Sequence, residues 1–251
     1  MLRLIVTNYK DSTEVLDEAE RLTREIESHY HAARFAEGEL SVKRVQVKAA
    51  IECIRSALEY TAQDIWRSYT KKQNSVYFPY GEDLSSFQKG VKKNLPDVDV
   101  QAPELYRLIE SLQPHACGDN WVYQLCKASN YNKHNGLSEQ VRKNSQSNRL
   151  EIGNVFSFVD CEGITLKNCS IDGVPIGKSA VVKISNSDTM EDLMKQITPG
   201  ITLAREFQWV EFHLEACDRD LLELLKRGQE SARLFVEKVN SALSGQGNEK
   251  V

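Results

Sequence analysis

Apolar residues recur every three or four positions over the first seventy residues, and shorter runs follow. Val15, Leu16, Ala19, Leu22, Ile26, Tyr30 and Ala33 fall on one face at helical spacing. Asp11 followed by Glu14 has capping-box spacing, so a first helix is predicted to open at Asp11 and to break at Gly38. A second helix is predicted from near Ser41 to Tyr69, with a stripe of Val47, Ile51, Ile54, Leu58, Ile65 and Tyr69 and neither Gly nor Pro inside. Shorter elements come next. Asp83 is a candidate cap for a helix reaching Leu95, and Pro96 to Pro103 reads as a turn region. Pro103 suits the first turn of a helix that Pro114 would stop. Asp119 is a candidate N-cap for a helix carrying Trp121, Val122, Leu125 and Ala128 and continuing through His134 to Gly136.

After the polar spacer at residues 144–148 the pattern changes. Short β-type runs follow at Leu150 and Ile152, Val155 to Phe158, Ile164 and Leu166, Ile171, Val174 and Ile176, and Val181 to Ile184, with Asp172-Gly173 as a hairpin turn. A further strand is expected over residues 201–216. Asp218 would cap a last helix over residues 221–243 with Leu222, Leu225, Ala232, Phe235 and Val239 inward, and residues 244–251 read as a flexible tail. The class predicted is α+β, with a helical bundle over residues 1–148, then an antiparallel β appendage with a closing helix over residues 149–243.

Composition narrows the picture. A chain of 251 residues, 41 % apolar and 27 % charged, is long enough and mixed enough to bury a core, which excludes fibrous and disordered classes. The longest run without a formal charge is ten residues, 239–248, and it is polar, so no membrane partner is expected. The first seven residues lack the form of a signal peptide, and six cysteines without a C-x-x-C pair point to a reducing cytoplasm. The net charge of −4 hides a division: residues 11–39 hold nine acids and three bases, residues 41–72 seven bases and three acids. Adjacent helices of opposite sign suit a hairpin. Residues 127–149 carry five bases and one acid.

Four strings then stand in order: Ile54-Arg55-Ser56-Ala57-Leu58-Glu59-Tyr60, Tyr77-Phe78-Pro79, Gln113-Pro114-His115, and Leu125 followed by Asn130-Tyr131-Asn132-Lys133-His134. Together they resemble a group of uncharacterised bacterial proteins with an "LRSALDH" helix, an "FP" loop, a "QPY" turn and a "DKHR" segment. The resemblance covers residues 14–140. This chain departs from the pattern at Glu59, His115, Asn132 and Asn135. The group is similar in plan to HEPN-like helical bundles. That resemblance implies a protein of RNA-cleaving toxin or antiphage-defence type, or an inactive, nucleotide-binding or scaffolding relative.

Active HEPN nucleases carry Arg-x(4–6)-His in a late helix. Arg24 and His29 match the spacing, but about 0.8 such matches are expected by chance from fourteen arginines and five histidines, and this one sits in the acidic first helix. Asn130, Lys133 and His134 are the stronger candidates, because Asn130 and His134 share a helix face. Histidine titrates near neutrality and can take the proton of an RNA 2′-hydroxyl, while a cation stabilises the phosphorane. Arg55 with Glu59, also four apart, would supply a guanidinium and its orienting carboxylate. The structural alternative is a helix end tied down by Asn130 and His134 and an Arg55–Glu59 ion pair fixing the bundle.

His115, Cys117, Cys126 and His134 fit no usual zinc spacing, and phosphate-loop, dinucleotide, serine-hydrolase and zincin motifs are lacking, so no cofactor or metal is expected. Tyr77, Phe78 and Tyr80 either stack on bases or pack over the bundle. The sequence thus leads to an RNA-directed protein, with metal-independent ribonuclease activity as its catalytic form and His134, Lys133, Arg55, Asn130 and Glu59 as site. The alternative is a non-catalytic module that pairs with a second copy or a protein partner, and a third is a small-nucleotide site in the same cluster.

Overall fold

Helical periodicity becomes two long helices in the computed structural model, which describes residues 8–36, 42–160, 163–185, 187–215, 217 and 219–245. They are α1 (Tyr9–Ala33) and α2 (Arg44–Tyr69). Asp11 falls inside the first turn of α1 rather than ahead of it; the start is held by Asn8, whose N–H donates to the Asp64 carboxylate at 2.7 Å. Gly38 and Ser41, the expected break and restart, lie outside the described residues.

Four helices follow α2, then a fifth that carries the candidate site. α3 (Leu84–Asn94) opens with the Asp83 capping box, and α4 (Val98–Gln101) occupies the expected turn region. α5 (Pro103–Glu110) ends before Pro114, which opens the short α6 (Pro114–Cys117), since a proline gives up no needed N–H in a first turn. α7 (Trp121–His134) takes Asn120 as its N-cap, one residue after the cap expected, while the Asp119 carboxylate still accepts the Trp121 N–H at 3.0 Å.

The second half is mostly strands: β1 (Gln140–Asn144), β2 (Asn148–Ile152), β3 (Phe156–Val159), β4 (Ile164–Lys167), β5 (Ser170–Ile171), β6 (Val174–Pro175) and β7 (Val181–Ile184). Then come α8 (Met190–Gln196), β8 (Leu203–Phe207), β9 (Val210–Leu214) and α9 (Leu221–Gly245). β2 lies between β3 and β8, and β1 pairs with β9, β4 with β7, and β5 with β6. At the β5–β6 turn Asp172 and Gly173 take φ of 48° and 79°, the left-handed pair a two-residue hairpin needs. The expected strand over 201–216 is two strands broken at Gln208-Trp209. Asp218, the expected cap of the last helix, lies outside the described residues, and Asp220 accepts the Glu223 N–H at 3.0 Å. Ser244 and Gly245 belong to α9; residues 246–251 of the expected tail are outside the description.

The fold is α+β, and the chain divides into two compact units. The first takes the described residues up to Ile26, those of 43–141 and those from His213 on; the second takes 27–42 and 142–212. α9, which the sequence joined to the β segment, packs on α2, α5 and α7 in the helical unit. Ile54, Leu58, Leu105, Trp121, Leu125, Leu224 and Phe235 are buried there. The contact is close at Gly228, where an added Cβ would stand 2.9 Å from Leu125 Cδ1 and 3.6 Å from Ile54 Cδ1. Leu150, Ile152, Ile176, Val182, Ile184, Leu193 and Ile197 form the core of the second unit.

Several charges of α1 pair within the helix or with α9 rather than with α2, although Gln46 of α2 donates to Glu25 at 2.7 Å. Arg21 pairs with Glu18 and Glu25 within α1, and Arg233 of α9 reaches Asp17 at 2.8 Å and Glu20 at 3.5 Å. Basic residues of α2 turn elsewhere: Arg44 bonds Glu139 at 2.8 Å, and Arg67 bonds Asp64 at 3.5 Å.

Candidate functional site

A polar seam runs between α2 and α7 in the helical unit. Glu52, Arg55 and Glu59 follow at i, i+3 and i+7 on α2, and Cys126, Ser129, Asn130 and Lys133 repeat at similar spacing on α7. Arg55 is 6 % exposed. Its guanidinium pairs with the Glu59 carboxylate, donates to Cys126 Sγ, and lies 4.9 Å from the centre of the Tyr80 ring. The second Glu59 oxygen accepts the Phe78 N–H. Burial pushes the Glu59 carboxyl above its ordinary value, against the pull of Arg55, the Phe78 N–H and Lys133.

One turn further along, Glu52 holds two residues of α7. Ser129, fully buried, donates its hydroxyl to one Glu52 oxygen at 2.7 Å, and the Lys133 ammonium lies 3.2 Å from the other. Asn130 donates its amide to the Tyr80 hydroxyl at 2.7 Å. Counting Glu52, Arg55, Glu59 and Lys133, the seam is formally neutral.

The strings that carried the family resemblance therefore meet in space. The loop at residues 76–81 is held by Glu59 through Phe78, and by Gln113 through two further bonds. Gln113, fully buried, accepts the Gly81 N–H at 3.2 Å and donates to the Pro79 carbonyl at 3.3 Å. Phe78 is buried against Phe235 with ring centres 5.7 Å apart. Of the three loop aromatics, Phe78 packs and Tyr80 is half-buried in the seam, whereas Tyr77 is 63 % exposed.

The five candidate residues separate into two groups. Arg55 and Glu59 are inside and committed to each other. Asn130, Lys133 and His134 are exposed at the end of α7, with Lys133 tied to Glu52. Among the described residues, His134 has no hydrogen bond or ion pair in the seam. Asn132 turns inward and accepts both the Ser138 N–H and hydroxyl at 3.1 Å, closing the chain after the helix. Glu52 and Ser129 are the seam members that sequence reasoning missed, while the sequence singles out Cys126, Tyr80 and Gln113 in other roles. The position of Glu52, three before Arg55 and seven before Glu59, was the available signal.

Other candidates hold separate partners. Arg24 pairs with Glu20 at 3.8 Å within α1. The His115 ring lies 5.5 Å from Phe87, with Nε2 3.6 Å from Glu110. Among the described residues no group of three or more His, Cys, Asp or Glu could hold a metal ion. The basic 127–149 stretch is partly consumed by structure: Arg149 pairs with Glu151 at 3.0 Å, and Arg142 donates to the Ala33 carbonyl at 2.8 Å. No helix among the described residues is long and apolar enough to cross a membrane. Among known proteins, no family model, no curated protein and no solved structure matches the chain.

Proposed function

We propose that the chain is an RNA-directed, HEPN-like cytoplasmic protein of bacterial toxin or antiphage-defence type, meeting RNA at the end of α7. The observation that carries this reading is the joint exposure of Asn130, Lys133 and His134 on the last two turns of α7, above a seam that fixes the helix. In its catalytic form the reaction is internal transesterification without a metal. The His134 imidazole takes the 2′-hydroxyl proton, the 2′-oxygen bonds to phosphorus, and the bond from phosphorus to the 5′-oxygen breaks. Lys133, released from its pair with Glu52, offsets the charge of the phosphorane. His134, now protonated, returns that proton to the 5′-oxygen, leaving a 5′-hydroxyl and a 2′,3′-cyclic phosphate. Arg55 and Glu59 act from below as positioning residues, holding α2 against α7 and the 76–81 loop. The test is cleavage of varied RNAs by purified protein in EDTA, with His134→Ala alongside. Activity in the wild type alone supports catalysis; equal activity in both, or none in either, removes it.

A second reading is a non-catalytic module that pairs with a second copy or a protein partner. It is favoured by the same seam, because a buried Arg55 already neutralised by Glu59 has no charge to spare for phosphate. A groove of about 720 Å³ between α5 and α9, lined by Leu108, Leu234, Glu104 and Lys238, is available to such a partner. This reading expects complex formation that survives His134→Ala.

A further inference from the structure

The helical unit presents a cationic helix face outside the seam. α3 carries Lys89, Lys92 and Lys93 at i, i+3 and i+4, all exposed, and no acid of its own. None of the three is in an ion pair or hydrogen bond among the described residues. Lys89 acts electrostatically on Asp83, whose carboxylate is occupied by the Ser86 N–H at 2.7 Å. The Pro79–Tyr80 end of the 76–81 loop runs beside this helix at Gly90, where an added Cβ would stand 3.4 Å from the Tyr80 carbonyl oxygen and 3.6 Å from Pro79 Cβ. Tyr77 lies in that loop between buried Val76 and Phe78, 63 % exposed. Glu59 and Gln113 fix the backbone that follows it. Its ring is thus held out on an anchored strip of chain, so little further ordering is needed for a planar group to settle on it.

We infer that Tyr77 and the Lys89, Lys92 and Lys93 face form a contact surface for single-stranded nucleic acid, with phosphates on the lysines and a base on the Tyr77 ring. Cations along a backbone track and an aromatic platform are the two elements such binding uses. A duplex offers the phosphates but keeps its bases stacked away from the tyrosine. The inference rests on the RNA-directed reading and gives it a second surface, on elements other than α7.

The test is fluorescence anisotropy with labelled single-stranded RNA, and with DNA of the same sequence, against wild type, Tyr77→Ala, the triple Lys89→Gln/Lys92→Gln/Lys93→Gln and a Lys167→Gln/Lys183→Gln control. Circular dichroism checks that each variant is folded. Tyr77→Ala should weaken binding about tenfold, by loss of one stacked base. The triple variant should weaken it and make the logarithmic salt slope shallower by about 2, at roughly 0.7 per phosphate on a single strand. The control pair should bind as wild type, and the tighter of the two strands identifies the ligand. Wild-type binding that the Tyr77 and triple variants keep unchanged overturns this surface and leaves the RNA-directed reading standing. Failure of the wild type to bind either strand overturns both.

Discussion

Arg55 and Glu59 close an ion pair one helical turn apart inside the helical unit, and the same carboxylate receives the Phe78 N–H from the loop opposite. One buried charge pair thus joins α2 to the 76–81 loop, while Cys126 and Tyr80 take up the remaining faces of the guanidinium. Removing Arg55 leaves a partly buried Glu59 with the Phe78 N–H but no counter-charge, which costs about 3 kcal/mol, the low end for breaking a buried pair. Arg55→Ala should lower urea-denaturation stability by that order. The double variant Arg55→Met/Glu59→Met should lose less than Arg55→Met alone, because it leaves no uncompensated charge. A double variant as unstable as the sum of its singles would show that the two residues are not coupled.

Asp64 sets a pH dependence at the start of α1. Burial raises its carboxyl from an ordinary value of 3.8 to about 6, against the Asn8 N–H and Arg67, with Asp11 adding to the rise. Between those two values the folded chain keeps a proton that the unfolded chain has released, so stability falls as pH rises through the window. Asp64→Asn retains an acceptor for the Asn8 N–H. It should flatten that contribution and melt at or above the wild type at pH 7. A variant that melts well below wild type at pH 7, with an unchanged slope, would assign the pH dependence elsewhere.

Thiol reactivity should sort by burial. Cys117 is exposed, whereas Cys126 is fully enclosed. Burial pushes the Cys126 thiol up to about 11 despite the Arg55 guanidinium beside it. The thiolate is the reactive form, so iodoacetamide at pH 8 followed by peptide mapping should modify Cys117 early and Cys126 only in denaturant. Early labelling of Cys126 in the folded protein would contradict the enclosed seam.

Gly228 allows α9 to approach α7 and α2, with Leu125 Cδ1 2.9 Å from where a Cβ would lie. Gly228→Leu should destabilise the protein by about 1–3 kcal/mol through overpacking, despite the better helix propensity of leucine. Thermal melting that stays at the wild-type temperature would mean the three helices separate at low cost.

Helices were legible where burial and periodicity agree. The α2 stripe of Val47, Ile51, Ile54, Leu58 and Ile65 is buried as spaced, and the Asp83 cap and Asp172-Gly173 turn work through local chemistry. Non-local substitutes were illegible. Asn8 rather than Asp11 anchors the start of α1, through a residue 56 positions away. α8 was missed although Thr189 and Asp192 form its capping box, a signal one turn long inside a β-type stretch. Polar β1, whose side chains are exposed or half-buried, carries no apolar alternation to detect. In the seam, Arg55 and Glu59 were readable as a pair by their spacing. Ser129, Tyr80 and Gln113 become members only when the helices and loop are folded together.

A titration of labelled single-stranded RNA with the wild-type protein in EDTA at increasing salt tests most directly the proposal that this chain meets RNA. Saturable binding that weakens steadily as salt rises is the predicted result, since neutralised phosphates release counterions. Absence of binding at low salt, by protein shown to be folded, would contradict it.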